Sequence, residues 1–283
     1  MGSTEAREHA LGEAQLAACL ALSRAAGWNQ NAADWRLMLE IGRGWGLSQD
    51  GALVASTLVL PYGAFAWISM VLVLPEHRRK GYAARLLRRA LAELRSARLT
   101  PVLDATPAGR AVYLQEGFRD TWTFKRYQLR SRPAASTDRA IDIRALADRD
   151  WPRILALDER AFGASRERLL RALAARLPEA ALVFERAGDI RGFLLGREGR
   201  EASQLGPLVA QDPDTGIALL DAGLGQLTAP LYLDAVDHAM PLAAWLAARG
   251  FEVQRPFTRM VQGGGRAPGD ASKVMLVAGP ELG

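Results

Sequence analysis

Apolar residues recur at helical spacing over residues 10–25 (ALGEAQLAACLALSRA), which predicts a helix there. A second helix is predicted over 31–42, with Asn31 as N-cap and Gly42 as its stop. GLSQDGALVASTLVLPYG (46–63) predicts a hairpin with Asp50-Gly51 at its tip, and AFAWISMVLVL (64–74) a strand. From 81 to 95, Tyr82, Leu86, Leu87, Ala90, Leu91 and Leu94 share one helical face. PVLDA (101–105) reads as a strand, 107–116 as a helix ended by Gly117, and WTFKRYQLR (122–130) as a strand. This order predicts an α/β domain with a mixed sheet.

SRPAASTDRA (131–140) is polar and rich in small residues, as a linker would be. Beyond it the same order returns. Helices are predicted over 148–160 and 165–176, then a hairpin over 181–198 turning at Gly188-Asp189. A strand, a helix (213–224), a strand (231–235), a helix (239–249) and a final strand region follow. Leu86-Leu87 matches Leu219-Leu220 at a spacing of 133, as do Gly117-Phe118 with Gly250-Phe251, Phe124 with Phe257 and Arg126 with Arg259. Leu103-Asp104-Ala105 matches Leu233-Asp234-Ala235 at 130. The expectation is two copies of one fold, residues 1–130 and 141–283, joined by 131–140.

Composition narrows the chemistry. The single cysteine, Cys19, excludes an intramolecular disulfide framework, and three scattered histidines argue against a zinc site, so no metal is expected. No apolar run is long enough to span a membrane, and the N-terminal residues lack a signal peptide's apolar core, so a cytoplasmic protein is expected. The net charge of +5 suits an anionic ligand.

One place concentrates that charge. VLVLPEHRRKGYAARLL (71–87) runs from a strand through a basic turn into a helix. Arg78, Arg79 and Lys80 at a helix start oppose the helix dipole unless an anion sits among them. Gly81 allows close approach, and Ala83 and Ala84 are small. The turn lacks the three glycines of a dinucleotide fingerprint and the lysine-serine/threonine of a nucleotide P-loop. It does satisfy Arg/Gln-x-x-Gly-x-Gly/Ala. Nucleic acid is disfavoured, because no row of aromatics accompanies Arg85, Arg88, Arg89, Arg95 and Arg98.

With AVYLQEGF (111–118) downstream, this stretch resembles the GNAT superfamily of N-acetyltransferases. The resemblance implies two tandem GNAT-like α/β domains, each a mixed, mostly antiparallel twisted sheet flanked by helices. It implies acetyl-CoA as cosubstrate and a primary amine as acceptor, in a ternary complex. The cofactor arm would pair with Val71, Leu72 and Val73, and its pyrophosphate would lie on Arg78, Arg79, Lys80, Gly81, Tyr82, Ala83 and Ala84. The backbone N–H of Val73, or of Leu72, would hold the thioester carbonyl, and Tyr113 would protonate the leaving thiolate. No general base is evident; Asp104, at a strand end, is a candidate. Trp28, Asn29, Trp35 and Asp104 are candidates for the acceptor side. In the second copy the turn reads Gln211-Asp212-Pro213-Asp214-Thr215-Gly216, and Leu246 stands at the tyrosine position. This resembles tandem GNAT proteins with an intact first and a degenerate second domain. A non-catalytic acyl-CoA-binding module is the alternative, and a homodimer is left open.

Overall fold

The computed structural model of the protein describes residues 5–131 and 142–283, so almost all of the expected linker lies outside the described residues. The chain divides into two compact units: Met1–Leu103 with Leu282, and Asp104–Glu281 with Gly283.

The first unit opens with β1 (Arg7–Leu11), where the sequence pattern predicted the start of a helix; only Leu16–Ala25 is helical (α1). The pattern misleads because Leu11 is part of a sheet face. β1 pairs antiparallel with β2 (Arg43–Gln49), and a Cβ on Gly44 or Gly46 would collide with Leu11 or its neighbours Leu58 and Leu53. Between them lies α2 (Ala32–Ile41). Its N-cap Asn31 accepts from Asp34 N–H (3.1 Å), while the Asp34 carboxylate accepts from Asn31 N–H (2.9 Å). β3 (Ala52–Tyr62) and β4 (Phe65–Val73) continue the antiparallel sheet; β5 (Thr100–Ala105) joins β4 in parallel. α3 (Tyr82–Ser96), the crossover before β5, buries Leu86, Leu87, Ala90, Leu91 and Leu94 against this sheet.

The second unit begins with α4 (Pro107–Gln115) and β6 (Phe118–Leu129), then β7 (Ile143–Ala145), α5 (Trp151–Phe162) and α6 (Glu167–Arg176). There follow β8 (Leu182–Arg186), β9 (Asp189–Arg197), β10 (Ser203–Ala210), α7 (Pro213–Gln226), β11 (Leu231–Val236), α8 (Met240–Ala248) and β12 (Glu252–Gln262). A last short strand, β13 (Val274–Leu276), has no counterpart in the sequence expectation. Strand order is β12-β6-β11-β13-β10-β9-β8-β7, antiparallel except for a parallel β10–β11 pair.

β6, the last strand of the first sequence copy, thus lies between two strands of the second. Across β6 and β12 the repeat-equivalent Phe124 and Phe257 face each other, their rings stacked at 5.0 Å. Around them the other repeated residues form reciprocal ion pairs. Arg126 donates from Nε and Nη2 to the Asp234 carboxylate (2.8 and 2.7 Å), and Arg259 donates likewise to Asp104 (both 2.9 Å). All four side chains are buried. Each bidentate pair joins one copy to the other and offsets the cost of burying charge only while both partners remain.

Candidate active site

The site in the first unit starts from a bulge. Met70 and Val71 of β4 together oppose Thr57 of β3, because the register slips between Ser56–Leu72 and Leu58–Ser69. Met70 takes φ +50°, a strained value for a long side chain, and Ser56 Oγ donates to its carbonyl (2.8 Å). A bulge bends its strand. β4 pairs with β5 only through Phe65–Trp67 against Thr100–Val102; among the described residues no strand pairs with β4 beyond Trp67 on that side. The edge that carries Val71, Leu72 and Val73 is therefore available for main-chain pairing with a ligand.

The chain then tightens through Pro75–His77, and Arg78 Nε donates to the Val73 carbonyl (3.3 Å). Arg79 (φ +62°) and Gly81 (φ +80°) both adopt left-handed conformations on either side of Lys80. α3 starts at Tyr82 without a side-chain cap, so the N–H groups of its first turn stay free to meet an anion. Space above the turn is open: a Cβ on Gly81 would meet no atom within 4 Å. Arg78, Arg79 and Lys80 are exposed around it. Tyr82 braces the turn, its hydroxyl donating to Gln49 Oε1 (3.1 Å) and its ring stacking with His77. Together these place uncapped N–H groups and three exposed cations at one helix start, an arrangement that can take an anion. Two cations farther along α3 are occupied: Arg85 bonds the Ala6 carbonyl, and Arg89 lies over Trp45 and pairs with Glu8 and Glu93.

The acceptor-side candidates divide between the two units. Trp35 is fully buried and its indole N–H donates to Ser23 Oγ (2.9 Å), so it is core. Asn29 is also buried, and Trp28 is half-buried in the α1–α2 turn. In the second unit, Asp104 is committed to Arg259; burial pushes its carboxyl above the usual range against the pull of that guanidinium. Tyr113 is half-buried on α4, edge-on to Phe118 at 6.0 Å, and burial pushes its phenol up to about 12. The hydroxyl thus keeps its proton throughout the neutral range.

The second copy handles the corresponding places differently. Asp212 caps α7 and accepts from Thr215 N–H (2.8 Å) and Thr215 Oγ1 (2.9 Å), so a carboxylate already meets the N–H groups there. Leu246 is core. Asp237 accepts from Thr123 and Lys125, and His238 Nε2 donates to the Ala271 carbonyl. Sequence reasoning missed the Met70 bulge, which has no side-chain signature. It also missed the reciprocal Asp–Arg pairs, although both aspartates and both arginines recur in the repeat.

The profile described as "Acetyltransferase (GNAT) family" matches residues 14–118, and that described as "Acetyltransferase (GNAT) domain" matches 154–276. A search of curated proteins finds no match. A putative acetyltransferase from Pyrococcus horikoshii superimposes with a TM-score of 0.82 at 20% identity, covering 100% of this chain and 98% of its own. A GCN5-related N-acetyltransferase from Sphaerobacter thermophilus gives 0.66 at 18% identity, with 92% and 97% covered. A tandem GNAT protein from the clavulanic acid biosynthesis pathway gives 0.63 at 15% identity, with 92% and 99% covered. At these identities the likeness is one of fold.

Proposed function

Because this chain belongs to the GNAT superfamily of N-acetyltransferases, with two GNAT domains in tandem, we propose that it transfers an acetyl group from acetyl-CoA to a primary amine. The observation that carries this reading is the uncapped basic turn of Arg78–Ala84 standing directly after the unpaired edge of β4. A CoA thioester has both complements: a pyrophosphate, and an amide-bearing arm that pairs like a strand. Val71, Leu72 and Val73 take the arm, and Arg78, Arg79, Lys80 and the N–H groups of Gly81, Tyr82, Ala83 and Ala84 take the pyrophosphate.

In the reaction a neutral amine nitrogen attacks the thioester carbon. The carbonyl oxygen gains negative charge, which the backbone N–H of Val73 or Leu72 stabilises. The C–S bond then breaks, the thiolate takes a proton from the Tyr113 hydroxyl, and the nitrogen releases its proton toward solvent. Burial suits Tyr113 to the role by keeping it a phenol rather than a phenolate. Asp104 is not assigned as the base, since its carboxylate is held by Arg259.

The test is release of free CoA thiol from acetyl-CoA across a panel of small-molecule and peptide amines, with acetylated product identified by mass. Amine-dependent release is expected. Tight acetyl-CoA binding without turnover on any amine would instead favour a non-catalytic acyl-CoA-binding module.

A further inference from the structure

The two parallel strand pairs, β4–β5 and β10–β11, are built alike, and only one is left open. Phe65–Trp67 pair with Thr100–Val102, and Ser203–Leu205 pair with Leu231–Leu233. Beyond each pairing the first strand bulges in the same way. Met70 and Val71 oppose one residue of β3; Gly206 and Pro207 oppose one residue of β9. In the first unit the strands then part. In the second, β13 enters the gap and pairs antiparallel on both sides. Leu276 lies opposite Leu208 of β10 and Ala235 of β11, Val274 lies opposite Val209, and Val277 N–H donates to the Asp234 carbonyl (3.1 Å).

Two glycines make room for this strand. A Cβ on Gly206 would stand 2.2 Å from the Val277 carbonyl oxygen, and one on Gly216 would stand 1.8 Å from Met275 Sδ. Gly216 closes the Gln211–Gly216 stretch that corresponds to the basic turn, so Met275 lies against the helix start. There the Asp212 carboxylate already takes hydrogen bonds from Thr215. The residues after β13 are held as well. Arg197 donates to the Ala278 carbonyl (2.6 Å) and pairs with Glu281, and Arg166 donates to the Gly283 carbonyl (2.6 Å); both arginines are buried.

We propose that β13 is a built-in occupant of the second unit's cofactor-type cleft. Its main chain stands where a CoA arm would pair, with Asp212 in place of the pyrophosphate, so the whole chain takes one acyl-CoA, in the first unit. The site assigned to the first unit rests on the function proposed above; the occupancy of the second cleft does not. A tethered strand acts at an effective concentration of about millimolar, and replacing it would bring phosphates onto Asp212 and Asp214. Free CoA therefore does not displace it.

Calorimetric titration of the full chain with CoA tests the count, and hydrogen exchange tests the occupant. One CoA per chain is expected, with an affinity at least fivefold weaker in Gly81→Asp. Amides of 274–277 should exchange slowly with and without CoA, whereas those of 81–84 should slow when CoA is added. Gly206→Ala, which crowds the Val277 carbonyl, should speed exchange at 274–277 at least tenfold and leave the CoA Kd within twofold. Two CoA per chain, one CoA bound with unchanged affinity by Gly81→Asp, or free exchange at 274–277 in the unaltered chain would each overturn the proposal. No CoA bound by the unaltered chain would instead remove the acyl-CoA reading of the first unit, while slow exchange at 274–277 would still report the strand in its cleft. If Gly206→Ala does not fold, the titration and the exchange of the unaltered chain decide.

Discussion

Replacing Gly81 separates the two demands that the basic turn makes. Gly81 has φ +80°, and its Cβ direction is open. Gly81→Ala therefore meets no clash and carries only the left-handed backbone cost, about 1–2 kcal/mol. Gly81→Asp carries a similar cost plus a negative charge among the groups assigned to the pyrophosphate. A carboxylate about 4 Å from one phosphate charge is repelled by about 1 kcal/mol in water and about 4 kcal/mol at an effective dielectric constant of about 20. The turn is exposed in the free protein and partly covered once a ligand is bound, so the charge effect lies between these limits. That is a roughly five- to thousand-fold loss of affinity beyond the alanine variant. The assay is calorimetric titration with CoA at two salt concentrations, with thermal unfolding as the control for backbone cost. The two variants should unfold at similar temperatures and differ in Kd, and the difference should shrink at higher salt. Equal, small effects on Kd in both variants would refute the placement of the pyrophosphate at this turn.

Other outcomes follow from the same structure. Tyr113→Phe should lower kcat at least tenfold with little change in KM, and the parent's rate should show no alkaline loss from this phenol below about pH 10, because burial raises its pKa; steady-state pH profiles check both. Arg259→Met strands the buried Asp104 carboxylate and should cost about 3–5 kcal/mol in urea unfolding, with much of the loss recovered in the double variant with Asp104→Leu. Trp35→Ala should cost a similar amount, about 3–5 kcal/mol, by emptying a fully buried site and stranding Ser23. Arg144 beside Asp150 holds that carboxyl below the usual aspartate range, so its contribution is present above the unfolded-state pKa and lost as pH falls through the lower folded value. Asp150→Asn should therefore lower the Tm near pH 7, with the gap closing as pH falls below about 3.9.

The elements with strong local signals were legible in the chain itself. The amphipathic face of α3, the Asn31 cap and the Asp50-Gly51 turn each depend on residues within a few positions of one another. The local structure of the basic turn was legible for the same reason: strand, cations, glycine and helix follow in sequence. β1 was misread because a short strand with one buried leucine has the same apolar count as the start of a helix. Trp35 was offered to a pocket because spacing alone does not tell which side of a helix meets the core.

The repeat revealed that the sequence holds the fold twice, and its second turn showed aspartates where the first has cations. It did not show what those differences accomplish. That β6 lies between β11 and β12, that Asp104 belongs to Arg259 and Asp234 to Arg126, and that β13 fills the gap between β10 and β11 all depend on pairings across about 40 to 155 residues. Strand pairing uses main-chain groups that every residue carries, so partner choice leaves little trace in local sequence. Local chemistry brought cations, a glycine and a helix start together; long-range pairing decided which of the two parallel strand pairs has a third strand between them.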